Sequence, residues 1–373
     1  MQQKGFQMSD TPDLLALWWE GIKAVEGYAA VHSALRSGAI SKPDRIVAVG
    51  KAASAMARAA SERWPDVPCT VVTKYHHSDG APPMAEVIEA AHPVPNDASL
   101  AAGRALMNAI DACAPGSHLL MLVSGGASSL AEVPANGLTL SELQAETEEL
   151  LASGTPIGDM NTHRTARSEI KGGKLLARFE GRHVTTLALS DVEGDSLATI
   201  GSGIGDAPAD APFGFAPHII ASNAIARNAV AAASPVAVET NEETLYADIA
   251  DLAPRLGQAL RNAEPGLHIF GGEPVVHLPE NPGLGGRNMA LGLALAREIA
   301  GTESLRILVA GTDGTDGPTD AAGALVDGTT WKDSGADALA RADAYPWLKE
   351  HSALVVTGPT GTNVMDLLIA HKT

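Results

Sequence analysis

Short apolar runs of strand character alternate with helix-patterned stretches along most of this chain, and that alternation restricts it to an α/β fold built on a parallel sheet with helices on its faces. The runs are Arg45 to Val49, Cys69 to Thr73, His118 to Val123 and His183 to Leu189. Between them the apolar spacing predicts helices over Asp13 to Ser37 (with Gly38 as the stop), from Gly50 through KAASAMARAASERW, over Asp97 to Cys113, over Thr139 to Ala152 and over Thr162 to Phe179. Beyond Ser190 the pattern loosens into DVEGDSLATIGSGIGDAPADAPFGFAP, which reads as a long functional loop or a domain edge. A second unit begins near Val236, with a helix at Asn241 to Ala263, a strand at Leu267 to Phe270, a helix from Met289 to Ile299 and a strand at Ile307 to Ala310.

A length of 373 residues is comfortable for two domains, and 38 glycines with 45% hydrophobic residues fit many tight turns around compact cores. The 26 basic and 44 acidic residues leave a net charge of −18 with no basic stripe, and aromatics are only 4%. Nucleic acid and anionic membrane are thereby excluded as expected partners, and an anionic small molecule would need a locally basic pocket. Cys69 and Cys113 sit in apolar contexts, so neither a disulfide framework nor a zinc site is expected. The histidines lack metal spacing, and His76, His77, His92 and His163 read as structural. The opening MQQKGFQMSDTPDLL has no signal-peptide core and no run reaches membrane-spanning length, so a cytoplasmic protein is the expectation.

Chemistry concentrates where strands end. GTDGTDGPTDAAGA, from Gly311 to Ala324, sets Asp313, Asp316 and Asp320 among glycines directly after an apolar run. Carboxylates there suit Mg²⁺, which in phosphoryl transfer is held by one or two of them plus substrate phosphates; a turn whose Asp residues cap the next helix accounts for the tract equally well. In VGKAASAM, Gly50 ends a strand and Lys51 enters a helix, where free N–H groups and an ammonium favour an anion, although a solvated lysine in an ordinary βα unit fits too. VSGGASS supplies Gly125, Gly126, Ser128 and Ser129 as donors for phosphate oxygens, or else a simple tight turn. Asn161, Arg164, Ser168 and Lys171 recur every three or four residues and are expected on one helical face, which could equally be a solvated one. GGE followed by GLGGRN frames Glu273 and Arg287 with paired glycines, Arg287 offering a fork for phosphate or carboxylate. Neither a Walker A sequence nor a G-x-G-x-x-G is present, since GSGIGD at Gly201 has the wrong spacing.

In order along the chain, VGKAA, VVTKY, HPVP, SGG, the N-x-x-R…S…KGGKL stretch, SDV-x-GD, GGE, G-x-GGRN, GTDG-x-DGPTDAAGA and TGPTGTNVMDL resemble the glycerate 2-kinase family, whose C-terminal half is often called the MOFRL domain. The resemblance implies an N-terminal Rossmann-like parallel-sheet domain, here residues 10–235, a smaller C-terminal α/β domain, here 236–373, and an active site in the cleft between them. It implies transfer of the γ-phosphoryl of ATP to the 2-hydroxyl of D-glycerate with Mg²⁺. By motif, Lys51, Arg287 and Asp191 would be catalytic. Gly50, Ser124, Gly125, Gly126, Ser128, Gly285, Gly286, Asn288 and Asn363 would line the nucleotide and its phosphates. Asn161, Arg164, Lys171 and Glu273 would bind the acid, and Asp313 and Asp316 the metal, with Asp320 capping the following segment. Oligomeric state is not fixed by any motif, and a homodimer stays open. The chain departs from the family pattern in SGGASSLAEVP, in NTHR with His163, in HPVPN with Asn96, and in SGIGDAP followed by a shortened segment before Ile219. Those departures leave a different hydroxy acid, a hydroxypyruvate reductase or an inactive binding protein as alternatives.

Overall fold

A computed structural model describes residues 12–36, 38–135, 137–152 and 157–373, with backbone alone for 151, 152 and 157–159. The contacts divide it into two compact units. One holds Val25–Ser222 with Gly361–Val364; the other holds the described residues up to Ala24, Asn223–Thr360 and Met365–Thr373.

The first unit is built on six parallel strands, β1 (Arg45–Val49), β2 (Cys69–Lys74), β3 (Glu86–Ala90), β4 (His118–Val123), β5 (His183–Leu189) and β6 (Gly214–Ala221), in the order β3-β2-β1-β4-β5-β6. Ile46 to Val49 and all of β4 are buried, because helices cover both faces. Each fully buried aliphatic side chain there contributes about 1.5–3 kcal/mol. The chain winds outward through β2 and β3, returns, and winds the other way through β5 and β6. The order therefore reverses between β1 and β4, and in such sheets ligands bind at the carboxyl ends of the strands beside that reversal. Val49 pairs with Val123, so Gly50-Lys51 and Ser124-Gly125 leave the sheet side by side.

The outer strands escape the sequence pattern for a physical reason. β3 (EVIEA) and β6 (GFAPHIIA) each have one neighbour, so exposed charge on the first and Pro217 in the second are tolerated. The single helix expected over Asp13 to Ser37 is two, Leu14–Val25 and Gly27–Arg36. Glu26 breaks it by taking the N–H groups of Tyr28 (3.0 Å) and Ala29 (2.9 Å) on its carboxylate, as a helix cap does. Asn96 caps the helix Asp97–Asp111, accepting from Ser99 N at 3.2 Å in a reciprocal capping box, a role that Asp fills equally well.

The second unit carries a mixed sheet of β7 (Val238–Glu243), β8 (Gly266–Gly272), β9 (Leu305–Gly311), β10 (Gly323–Asp327), β11 (Leu354–Val355) and β12 (Asp366–Lys372), in the order β11-β10-β9-β12-β8-β7. Only β7 and β8 run parallel, so the parallel sheet read from the alternation is that of the first unit. Val238 to Glu243 (VETNEE) is an edge strand rather than the start of the helix expected at Asn241; that helix begins at Ile249, where Asp248 accepts from Ala250 N at 2.7 Å. The N-terminal helix joins this unit because Gly21 lies against Val230 and Leu367.

Candidate functional site

At the β1/β4 reversal the two loops are stitched together. Lys51 N donates to Gly125 O (2.9 Å) and Ala52 N to Ser124 Oγ (3.1 Å), while a Cβ on Gly50, whose φ is +130°, would run into Ser124. Ser124 is thus spent on holding the loops. A Cβ on Gly125 would run into the Asp191 carboxylate, which arrives from the end of β5, so this glycine is what lets Asp191 reach the loop. Four consecutive main-chain N–H groups, of Gly125, Gly126, Ala127 and Ser128, have no acceptor among the described residues. Such a run of donors is a nest for phosphate oxygens.

The Ser128 hydroxyl does not add to that nest. Ser202 Oγ donates to Asn161 Oδ1 (2.9 Å), so the 2.8 Å contact between Ser128 and Ser202 uses the Ser128 proton. Asn161, Ser202 and Ser128 form one inward chain. Arg164 stands on the same helix as Asn161, but the helical face expected to include Ser168 and Lys171 does not exist: the helix Ile157–Ala166 stops because residues 167–169 pair with 133–135 instead, Ala135 N to Arg167 O and Glu169 N to Val133 O, each 2.8 Å. Lys171 is buried with side-chain exposure of 3%, its ammonium given to Glu132 at 1%. Burial pulls the Lys171 pKa down and Glu132 pulls it back up. Its ammonium is thus held by a protein carboxylate in the wall of the site, where it was expected to bind the acid.

His92, read from sequence as structural, belongs to this site. It follows β3, and a Cβ on Gly126 would lie 3.0 Å from its Cδ2 and 3.2 Å from Lys51 Cγ. Burial first, and then the positive charges of Lys51, Lys74, Arg164 and His77, hold its pKa down at about 3. The imidazole is neutral at neutral pH. Its signal in the sequence was the HPVP tract, whose prolines hid that it ends a strand.

The second unit gathers Glu273, Arg287, Asn288, Asp316 and Asp366. Arg287 grips Asp366 with Nε (2.6 Å) and Nη2 (3.3 Å) and reaches Glu273 with Nη1 (2.7 Å). Its five N–H donors exceed these three bonds, so two remain for a ligand. Asn288 Nδ2 donates to Asp366 Oδ1 at 2.9 Å. Asp366, 1% exposed, was missed in the sequence because nothing local in TGPTGTNVMDL ties it to Arg287; the antiparallel pairing of β12 between β8 and β9 brings the two together.

The Asp-rich tract is resolved by its hydrogen bonds. Asp316, 3% exposed, accepts from Asn288 N (3.1 Å) and Met289 N (2.7 Å), the open donors of the helix Arg287–Glu298. Burial lifts its carboxyl pKa to about 7 against those two bonds. The cap comes from a distant loop because the residue at the helix start, Gly286, has no side chain, and a Cβ there would run into Asp316. Asp316 caps the helix, and Gly285, Gly286 and Asn288 lie at a helix start where a protein carboxylate already takes two of the open donors. Asp313 is half-buried and closes its own turn, accepting from Thr315 N (2.9 Å) and Oγ1 (3.0 Å). Asp320 accepts from the Tyr345 hydroxyl at 2.8 Å. Asn363 lies in Gly361–Val364, the short stretch that belongs to the first unit.

Among the described residues no three His, Cys, Asp or Glu side chains converge on a metal-sized space. The donor set fits Mg²⁺ in the form that uses one protein carboxylate with substrate phosphates, for which Asp191 and Asp313 qualify. No described helix is long and apolar enough to cross a membrane.

Residues 13–237 match the family described as a domain of unknown function, DUF4147, and residues 266–366 match the MOFRL family. A D-glycerate 2-kinase of Thermotoga maritima is 37% identical over 87% of this chain and 89% of its own length. A protein of Agrobacterium vitis with a provisional hydroxypyruvate reductase name is 36% identical over 86% of this chain and 97% of its own. The crystal structure of a glycerate kinase from Thermotoga maritima superposes with a TM-score of 0.86 at 34% identity, covering 96% of this chain and 98% of that one. On this similarity, which spans both units, the chain belongs to the glycerate 2-kinase family.

Proposed function

We propose that the protein transfers the γ-phosphoryl of ATP to the 2-hydroxyl of D-glycerate, giving 2-phosphoglycerate and ADP. Membership of the family makes it a kinase with a nucleotide as phosphoryl donor. The observation that carries the reading is the run of four open N–H donors after β4, beside Lys51 at the strand-order reversal, in a chain of net charge −18. Phosphoryl transfer asks a protein chiefly to position donor and acceptor and to stabilise charge on the moving group, and this arrangement supplies both.

In this reading Gly125, Gly126 and Ala127 hold nucleotide phosphates through their main chain, and Lys51 neutralises the phosphoryl oxygens. Asp191 accepts the proton of the 2-hydroxyl as the new O–P bond forms and the bond to the ADP oxygen breaks. Arg287, held in a fixed plane by Asp366 and Glu273, is the second cation of the reaction. Mg²⁺, when bound with the nucleotide, would neutralise phosphate charge, with Asp191 or Asp313 as its protein ligand. We place the boundary between the two sequence modules near Val236 and the protein in the cytoplasm.

The test is a coupled assay for ADP with ATP, Mg²⁺ and a panel of hydroxy acids, with the product identified by ³¹P NMR. D-glycerate as preferred acceptor and 2-phosphoglycerate as product are expected. Phosphate on the 3-hydroxyl would sink the regiochemistry, and a preferred longer acid would transfer the reading to that substrate. Oxidation of NADH with hydroxypyruvate is not expected, as no loop carries the dinucleotide fingerprint.

A further inference from the structure

We propose that Lys74 and His92, together with Arg164, form the subsite that holds the carboxylate of the acceptor acid. The inference rests on the kinase reading above and names the part of the site that recognises the acid.

Four adjacent strands, in the order β3-β2-β1-β4, each deliver one piece of the site at the same edge of the sheet: His92 after β3, Lys74 at the end of β2, Lys51 after β1 and the Gly125-Gly126 loop after β4. The register ties the first two together, since Lys74 pairs with Ala90 and Tyr75 N donates to Ala90 O at 3.1 Å, two residues before His92. Lys51, Lys74 and Arg164 all act electrostatically on the His92 ring, as does His77. Among the described residues none of Lys51, Lys74 and Arg164 is in an ion pair. The nearby Glu89 is already used, accepting from His77 N and Ser78 N at 3.2 Å each. Glu132 offsets part of the Arg164 charge, but with no ion pair on Lys51 or Lys74 the positive charge around the neutral imidazole favours an anion.

Two kinds of anion are available to a kinase of this class. Nucleotide phosphate is served by the main-chain donors after β4, which lie on the Lys51 and Gly126 side of His92. The β2/β3 side offers side-chain charges and an imidazole but no such run of amides, and a small carboxylate needs only two or three directed donors. When the carboxylate binds, its charge is met by Lys74 and Arg164, while His92, kept neutral chiefly by burial, offers the N–H of its neutral ring as a further directed donor. Lys74 and His92 are therefore binding residues for the acid, distinct from the groups that handle the phosphoryl.

The full-length protein carries the test. In steady-state kinetics Lys74→Gln raises KM for D-glycerate at least tenfold, leaves KM for ATP within twofold and kcat within about threefold, and Lys74→Arg restores most of the loss. Titration calorimetry of D-glycerate registers weaker binding by His92→Phe, which keeps a ring without its N–H donor, than by the wild type. An unchanged KM for D-glycerate in Lys74→Gln, or a rise confined to KM for ATP, overturns the proposal, the latter by assigning the subsite to the nucleotide. Should the wild type phosphorylate no D-glycerate, the kinase reading fails separately. The subsite is then judged by titrating D-glycerate, D-lactate, tartronate and D-gluconate: an acid bound by the wild type and lost in Lys74→Gln sustains it, and four acids ignored by the wild type overturn it.

Discussion

Replacing Lys171 by Met tests whether this lysine belongs to the wall of the site or to its contents. The substitution leaves Glu132, 1% exposed, without its counter-charge. Breaking a buried pair from one side costs about 3–5 kcal/mol, whereas replacing both partners by groups of similar volume is often close to neutral. The first unit has about 200 residues, a size at which each kcal/mol moves the melting temperature by roughly 2–4 °C. Differential scanning calorimetry of Lys171→Met is thus expected to show that unit's transition lowered by about 6–20 °C. Glu132→Gln with Lys171→Met recovers most of the loss, since no buried charge is left behind. The electrostatic reasoning would be refuted by a double variant as unstable as the single one, because the cost would then lie in packing around the lysine stem. It would be refuted also by a single variant that melts like the wild type.

Arg287→Ala strips a bidentate partner from Asp366 and is expected to lower kcat at least 10³-fold, an order set by removal of a transition-state cation; Arg287→Lys does not restore it, because an ammonium cannot span both oxygens. Gly125→Ala is expected to abolish activity while the protein remains folded, since the new methyl meets the Asp191 carboxylate, and circular dichroism with the coupled assay separates the two effects. Asp316→Asn keeps one of the two capping oxygens and leaves the other main-chain donor without an acceptor, so it is expected to cost about 1–3 kcal/mol of stability with the Mg²⁺ dependence of the rate unchanged; a large rise in the Mg²⁺ requirement would support the metal role. His92 has its pKa lowered on folding from 6.5 to about 3, so its contribution to stability is present above the unfolded value and is lost as pH falls from 6.5 toward 3. His92→Asn is accordingly expected to show a shallower loss of melting temperature than the wild type over that window.

The legible part of this molecule was the part whose causes are local. Aliphatic runs such as Ile46 to Val49 and Leu119 to Val123 are buried on both faces, which makes them recognisable without knowledge of their neighbours. Gly50, Lys51, Gly125 and Gly126 were legible for a related reason: a strand end followed by glycine is a local pattern, and its place at the sheet edge follows from the strand. β3, β6 and β7 were not legible, since an edge strand needs no apolar face of its own and takes its order from the strand it pairs with. The break at Glu26 was hidden because apolar periodicity continues across it while a carboxylate takes the next two amides.

The Asp-rich tract divides the two sources most clearly. Its sequence alone determined that a strand ends at Gly311 in a tight, glycine-dependent loop with carboxylates to place. Tertiary structure decided what those carboxylates do. Asp316 turns inward because the helix at Arg287 starts on a glycine and has no cap of its own, Asp366 reaches Arg287 because β12 runs antiparallel between β8 and β9, and Lys74 comes level with Ala90, two residues before His92, because β2 and β3 pair in parallel register. A charge in a sequence carries its sign but not its partner, and only the pairing of distant strands says which charges are spent on the fold and which are left for a ligand.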